Sequence, residues 1–388
     1  MLAAGTFSKR TALSMCSFTW KNALLLVAIF LSGRATQGEL ATFAVNPRGM
    51  LGKERQISYL DVLLADQSRR GKVFDRSVAG LKDPVNVLTL SESNVLPGDT
   101  TTKQSEPSSS LNYIFVAQFM SNQVLKISPS GVSTLFAKGV YCADSSKPCS
   151  ILDGPWGLEY FDSRLFVSSF SSDQILVFNI TNGEYISAFG NSVELNCPEG
   201  IAMGGDGYLY VVSYLNNEIV RYNPMTYEYV DVIVKPGTIS GPEDVLYMNS
   251  VLVVSSHWSN SILCYNATPA SALAVDKNHS GFDLLFEYGP NEVGSVMQAP
   301  VGLLQYSDEE VIVSLQGEVN KLLKINIFTG ESSIFAQYKH MKAPSGMAWL
   351  AKTWHDPPKT LVVAAYVSNN LYVFNRTKTN FELVARLT

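Results

Sequence analysis

The sequence predicts an all-β protein, a β-propeller of four-stranded blades with seven blades favoured and six as the alternative. Three features carry this expectation: a proline phrase that recurs at near-constant spacing, paired apolar runs joined by tight polar turns, and abundant strand-forming residues, with 18 Tyr and 19 Phe beside many Val, Ile and Thr.

The phrase is proline, any residue, usually glycine, then an aliphatic residue. It reads PRGM at Pro47, PVNV at Pro84, PWGL at Pro155, PEGI at Pro198, PEDV at Pro242, PVGL at Pro300 and PSGM at Pro344. Successive prolines are 37, 71, 43, 44, 58 and 44 residues apart, so three of six intervals agree closely. The two long intervals hold insertions: a polar one at 91–110 (SESNVLPGDTTTKQSEPSSS) and another near 267–281.

After each proline comes a strand, a polar turn and a second strand. The clearest copies are LFVSSFSSDQILVFN (165–179), LYVVSYLNNEIVRYN (209–223) and VLVVSSHWSNSILCYN (251–266). Divergent copies occupy 113–128, 311–326 and 361–375, and the weakest, DVLLADQSRRGKVFD, occupies 61–75. Runs such as LYVV are continuously apolar, as expected for strands covered on both faces. A further turn (ITNG, IFTG) and a short fourth strand complete each unit. Such a sheet exposes two apolar faces unless copies stack radially, and a propeller does that. The phrase glycine belongs on the crowded inner strand, where a missing side chain permits close backbone approach. Seven phrases favour seven blades, while the degenerate first unit leaves room for its strands to complete the last blade instead.

Composition bounds the partners. Of 388 residues 46% are hydrophobic and 16% charged, enough apolar surface for a large core, and a net charge of −5 offers no basic face for nucleic acid. Lys9, Arg10 and Lys21 precede an apolar run, Ala23 to Leu31, of nine residues, against about 20 for a membrane-spanning helix. Residues 1–38 are therefore expected to be a secretory signal cleaved after Ala35 or Gly38, with an uncleaved membrane anchor as the alternative, and 39–388 a single propeller domain. The sequons at Asn179, Asn266, Asn278 and Asn375 are expected to carry glycans. Cys142 and Cys149 flank a short polar loop and are expected to form a disulfide; Cys197 and Cys264 are either a second pair or two buried thiols.

The stretches DGPWGLEYFDSRLFVSSFSSDQILVFNITNGEY (153–185) and PEGIAMGGDGYLYVVSYLNNEIVRYN (198–223) resemble the repeats of NHL-type and streptogramin-lyase-like propellers, gluconolactonase-like enzymes among their kin. The resemblance runs from about Pro84 to the end. It implies the fold but no single function, since such propellers include lactonases, lyases, strictosidine-synthase-like enzymes and binding modules.

In the enzymatic members similar to these repeats, inner-strand acids and amides often hold a divalent cation at the axis. The matching positions, those after each phrase proline, are Arg48, Val85, Trp156, Glu199, Glu243, Val301 and Ser345. Glu199 and Glu243 are equivalent residues of adjacent blades, and Asp244 and Asn86 replace the phrase glycine. Two carboxylates about 5 Å apart repel by about 3 kcal/mol at an effective dielectric of about 20, so a cation or proton between them is a reasonable expectation. Hard oxygen ligands favour Ca2+ or Mg2+, making Glu199, Glu243 and Asp244 the candidate metal ligands. Against this stands the favoured reading that both carboxylates are solvated around a wide channel mouth. Glu159 has no facing acid in the blade pattern. His257 falls where other blades have Phe119, Phe170, Tyr214 and Tyr366, and reads as a structural ring rather than a base; His279, His340 and His355 fall in loops or junctions. Two functions follow: a secreted or lumenal binding module presenting one face to a protein or glycan, and a metal-dependent, lactonase-like hydrolase or lyase using the axial funnel.

Overall fold

The computed structural model describes residues 74–91, 112–141, 149–268, 282–290, 297–318, 320–350, 360–376 and 381–388. The chain divides into two compact units, Met1–Ile57 and Ser58–Thr388; the first lies wholly outside the described residues and the second holds the propeller.

The strands form six sheets in which chain neighbours pair antiparallel. Blade I is β2 (Pro84–Ser91), β3 (Asn112–Gln118), β4 (Gln123–Ile127) and β5 (Ser133–Tyr141), with the short β6 (Ser150–Leu152) added at its outer edge. Blade II is β7 (Pro155–Phe161), β8 (Arg164–Ser169), β9 (Gln174–Asn179) and β10 (Tyr185–Phe189). Blade III is β11 (Pro198–Met203), β12 (Leu209–Ser213), β13 (Glu218–Tyr222) and β14 (Tyr229–Val234). Blade IV is β15 (Pro242–Met248), β16 (Val251–Ser256), β17 (Ser261–Asn266) and β18 (Leu284–Tyr288). Blade V is β19 (Pro300–Gln305), β20 (Glu310–Leu315), β21 (Lys321–Asn326) and β22 (Ser332–Gln337). Blade VI is β23 (Pro344–Leu350), β24 (Thr360–Ala365), β25 (Asn370–Arg376) and β26 (Phe381–Leu387).

Each inner strand opens on its phrase proline, a first-strand position where the missing N–H costs no ladder bond. Stacking buries both faces of the middle strands. Val253 and Ile262 of blade IV pack with Val311 and Leu323 of blade V, and Val362 and Val373 of blade VI pack with Val116 and Leu125 of blade I.

The favoured count of seven blades is corrected to six. Pro47 and residues 61–73 lie outside the described residues, and β1 (Phe74–Arg76) pairs parallel with β26 as a fifth strand of blade VI. No gap for a seventh inner strand exists between blades VI and I: a Cβ on Gly346 would lie 2.1 Å from Asn86 Oδ1 and 2.7 Å from Asn86 Cα. Thr89 Oγ1 also donates to the Trp349 carbonyl across that seam, at 2.5 Å.

A repeated side-chain clasp closes the ring. In each blade an Asn or Asp in the turn between the second and third strands accepts from the backbone N–H just before the next blade's proline. Asn122 receives Gly154 N (2.9 Å), Asp173 Cys197 N (2.9 Å), Asn217 Gly241 N (2.7 Å), Asn260 Ala299 N (2.7 Å) and Asn320 Ala343 N (2.7 Å); Asn369 receives Asp83 N and completes the circle. These six turn residues have φ between 42° and 58°, a left-handed conformation that Asn and Asp tolerate better than other side chains.

The sequon asparagines have a second explanation. Asn179 Oδ1 accepts from the N–H groups of Thr181 and Asn182, and Asn223 and Asn326, which lie in no sequon, cap the equivalent turns of blades III and V in the same way. The asparagine is therefore required by the turn whether or not a glycan is attached. Asn266 ends the third strand of blade IV, Asn375 is the last residue but one of the third strand of blade VI, and Asn278 lies outside the described residues.

Cys264 is a buried free thiol, so a Cys197–Cys264 pair does not form. Cys149 and Cys197 each take part in a disulfide, and Cys142 lies outside the described residues, which leaves the Cys142–Cys149 link a proposal. Also outside them are the N-terminal segment 1–38 and, Ser91 excepted, the insertion at 91–110. Among the described residues no helix is long and apolar enough to cross a membrane.

Candidate functional site at the propeller axis

Every inner strand carries a register shift immediately after its proline. Such a bulge re-aims the local side chains. Here it puts six residues, Val85, Trp156, Glu199, Glu243, Val301 and Ser345, in a fully buried layer at one end of the axis. The next residue is glycine in four of the six blades, and there the neighbouring blade's backbone passes directly beside it. A Cβ on Gly157 would lie 2.3 Å from the Glu199 carbonyl oxygen. Buried serines stitch the layer together: Ser168 Oγ accepts from Gly157 N and donates to the Glu199 carbonyl, both at 2.6 Å.

The structure brings Glu199 and Glu243 together, as expected, but not in solvent. Both are 0% exposed, which overturns the solvated-rim reading. The two carboxyls are electrostatic neighbours, and among the described residues none of their four oxygens has a hydrogen-bond partner. Burial first, then the neighbouring Glu243 and Asp244 charges, raise Glu199 well above the ordinary carboxylic acid. His257 Nδ1 lies 3.0 Å from Glu243 Oε1. Burial, the largest single influence, lowers the imidazole pKa, but the charge and close approach of Glu243 together outweigh it and the net direction is upward. His257 is therefore more than a structural ring; it does take the ring position, following Ser256 as Phe170 follows Ser169, yet it is also the polar neighbour of the acid pair.

Asp244 is not arranged with the pair as a third free ligand. Its oxygens accept from Leu303 N of blade V (2.8 Å) and from Val245 N (2.9 Å), which pins blade IV to blade V. Among the described residues no group of three His, Cys, Asp or Glu side chains is placed to hold a metal ion.

Glu159 was missed. Three residues after Trp156, it accepts backbone hydrogen bonds from Tyr160 and Met203, and it does have a facing acid, Asp244. Desolvation, with a smaller contribution from Asp244, raises it to about 7; desolvation likewise raises Asp244 to about 7. In the folded protein each keeps a proton that the unfolded chain releases near pH 4, so its contribution to stability falls as pH rises from about 4 to 7. The stability gained by Glu159→Gln relative to wild type should therefore grow from pH 4.5 to 7.5 in urea titrations. A difference independent of pH would contradict this.

An aromatic arc covers the acid layer. Tyr366 meets Phe119 (centroids 6.4 Å), Phe119 meets Phe170 (5.4 Å) and Trp156 (5.4 Å), Phe170 meets Tyr214 (6.2 Å), and Tyr214 meets Trp258 (5.6 Å). Blade V interrupts the arc with Gln316, which donates to Ser345 Oγ (3.1 Å) and the Pro344 carbonyl. Tyr214 is raised by burial first and then by the Glu199 and Glu243 charges, which places its hydroxyl in their field. His340 is exposed, whereas His279 and His355 lie outside the described residues.

The fold and site together define a six-bladed β-propeller with a buried acid pair at one end of its axis. Among solved structures, streptogramin B lyase matches with a TM-score of 0.50 at 14% identity over 79% of this chain and 84% of that chain. Virginiamycin B lyase from Staphylococcus aureus matches at 0.48 and 14% identity, over 77% of this chain and 87% of that one. A chain of the nidogen/laminin complex matches at 0.48 and 12%, over 70% and 96%. The chain thus has a streptogramin-lyase-like propeller fold; identities this low say nothing of its chemistry. No family model matches the sequence, and no curated protein does.

Proposed function

We propose that this chain is a secretory-pathway ligand-binding propeller in which the Glu199–Glu243 pair anchors a positively charged organic group, an ammonium. The carrying observation is the pair itself: two wholly buried carboxyls whose oxygens, among the described residues, find no hydrogen-bond partner, with the His257 imidazole set against Glu243. Burying unsatisfied acids is costly, and clustered, perturbed acids concentrate at functional sites. An ammonium suits the surroundings better than a divalent metal. Calcium takes six to eight oxygens and magnesium six, while the rest of the layer is Val85, Trp156, Val301 and Ser345. An ammonium needs one anionic acceptor and aromatic faces; Tyr214 lies in the field of the pair and Trp258 packs against Tyr214. Residence in the secretory pathway rests on the N-terminal segment and the sequons.

Thermal melts with ethylammonium and choline chlorides, with calcium and magnesium chlorides, and with sodium chloride at matched ionic strength test the reading. A ligand at a hundredfold excess over its Kd stabilises the folded state by about 2.7 kcal/mol. Wild type should gain a few degrees with an ammonium, and Glu199→Gln or Glu243→Gln should lose that gain. A response to divalent ions alone would transfer the site to the metal-dependent hydrolase reading, and no response to any cation would remove the anchor role.

A further inference from the structure

We infer that the His257 side chain is the gate of the axial carboxyl pair: the imidazole seals Glu199 and Glu243 from solvent, and a ligand reaches them by displacing it. This inference rests on the proposed anchor role for its ligand, but its geometry stands independently. Both carboxyls are 0% exposed, while the His257 side chain is 23% exposed and touches Glu243 at 3.0 Å, so one side chain spans from solvent to the pair.

The other covers are fixed. Tyr214, Phe170 and Tyr366 are each less than 9% exposed and wedged edge-on or tilted against neighbouring rings. Gln316 is tied to Ser345. His257 enters no ring contact of this kind, and its polar side-chain neighbour among the described residues is Glu243.

Its backbone is held, because His257 N donates to the Gly241 carbonyl (2.9 Å) and Asn260 N donates to the His257 carbonyl (3.2 Å). Opening is therefore a rotation about the side-chain torsions rather than a loop movement, of the kind exposed side chains make in picoseconds to nanoseconds and half-buried ones more slowly. The gate also limits ligand size, since displacing one imidazole clears the space of one small group. That matches the head of an ammonium, with any apolar remainder left outside against the exposed Trp258.

Carbodiimide labelling of the full-length chain, with glycine methyl ester as the nucleophile and peptide mapping as the readout, tests the gate without any ligand. In wild type Glu199 and Glu243 should label far more slowly than the exposed Glu184. His257→Ala should speed both buried sites at least tenfold and leave Glu184 unchanged. His257→Phe, which installs the ring found at positions 119 and 170, should keep them as slow as wild type. If His257→Ala melts without a cooperative transition, His257→Ser takes its place. Labelling that is equally slow in the folded small-residue variant, or equally fast in the Phe variant, would overturn the gate. Either result leaves the cation titrations unaffected, so the two readings fail separately.

Discussion

Replacing Gly302 with alanine is expected to be among the most damaging single-methyl changes in the protein. The added carbon would lie 2.3 Å from the Ser345 carbonyl oxygen, 2.9 Å from the Ser345 carbonyl carbon and 3.2 Å from Gly346 Cα. All three are backbone atoms, so no rotamer change relieves the clash. The strand they belong to cannot retreat either, because Gly346 in turn presses against Asn86 at the seam. Overpacking in a core ordinarily costs about 1–3 kcal/mol, and this site belongs at or above the upper end because the whole ring must dilate. Gly302 has no left-handed φ to defend, so the loss is steric. The urea midpoint of Gly302→Ala against wild type is the measurement. An unchanged midpoint would mean that the inner strands are not packed in this order.

Removing Pro344–Thr388 is expected to abolish cooperative folding rather than trim it. That deletion strips blade VI, with which blade V shares a core of Ile312, Leu322, Leu361 and Val363, and with which blade I shares Val116 and Leu125. It also removes one of the six clasps outright, that of Asn369 with Asp83, puts Ala343 of the Asn320 clasp at the new chain end, and leaves β1 without its partner β26. Blades depend on neighbours for burial, and a closed ring has no terminal repeat adapted to face water. Calorimetry should show no sharp transition in the truncated chain. A transition as sharp as that of the intact protein would argue against closure.

Much of the architecture was readable residue by residue. The proline phrase marked the start of every inner strand because only there does a strand tolerate a missing N–H, and its glycine marked close approach because only glycine fits beside a passing backbone. The turn asparagines were visible as polar punctuation, but their role as clasps was not, since each bonds a residue of the following blade. Blade number was ambiguous for a similar reason: that Phe74–Arg76 ends a blade rather than begins one depends on pairing with β26, more than 300 residues away in the chain.

The acid pair shows the same division at the site. The period alone placed Glu199 and Glu243 at equivalent positions of adjacent blades, and therefore close together. Solvent access is a property of the assembled ring: the arc of Phe119, Phe170 and Tyr214, and the separate His257 imidazole, meet over the pair only when the blades are side by side. Asp244, by pattern a third ligand, found a backbone donor in blade V, while Glu159, by pattern isolated, came within the field of Asp244. Local sequence determined which residues stand at which repeat position, because strand period and turn chemistry are short-range. Only the closed ring decided which of them are dry, charged or paired, because burial and electrostatic coupling are set by neighbours that the chain brings in from other blades.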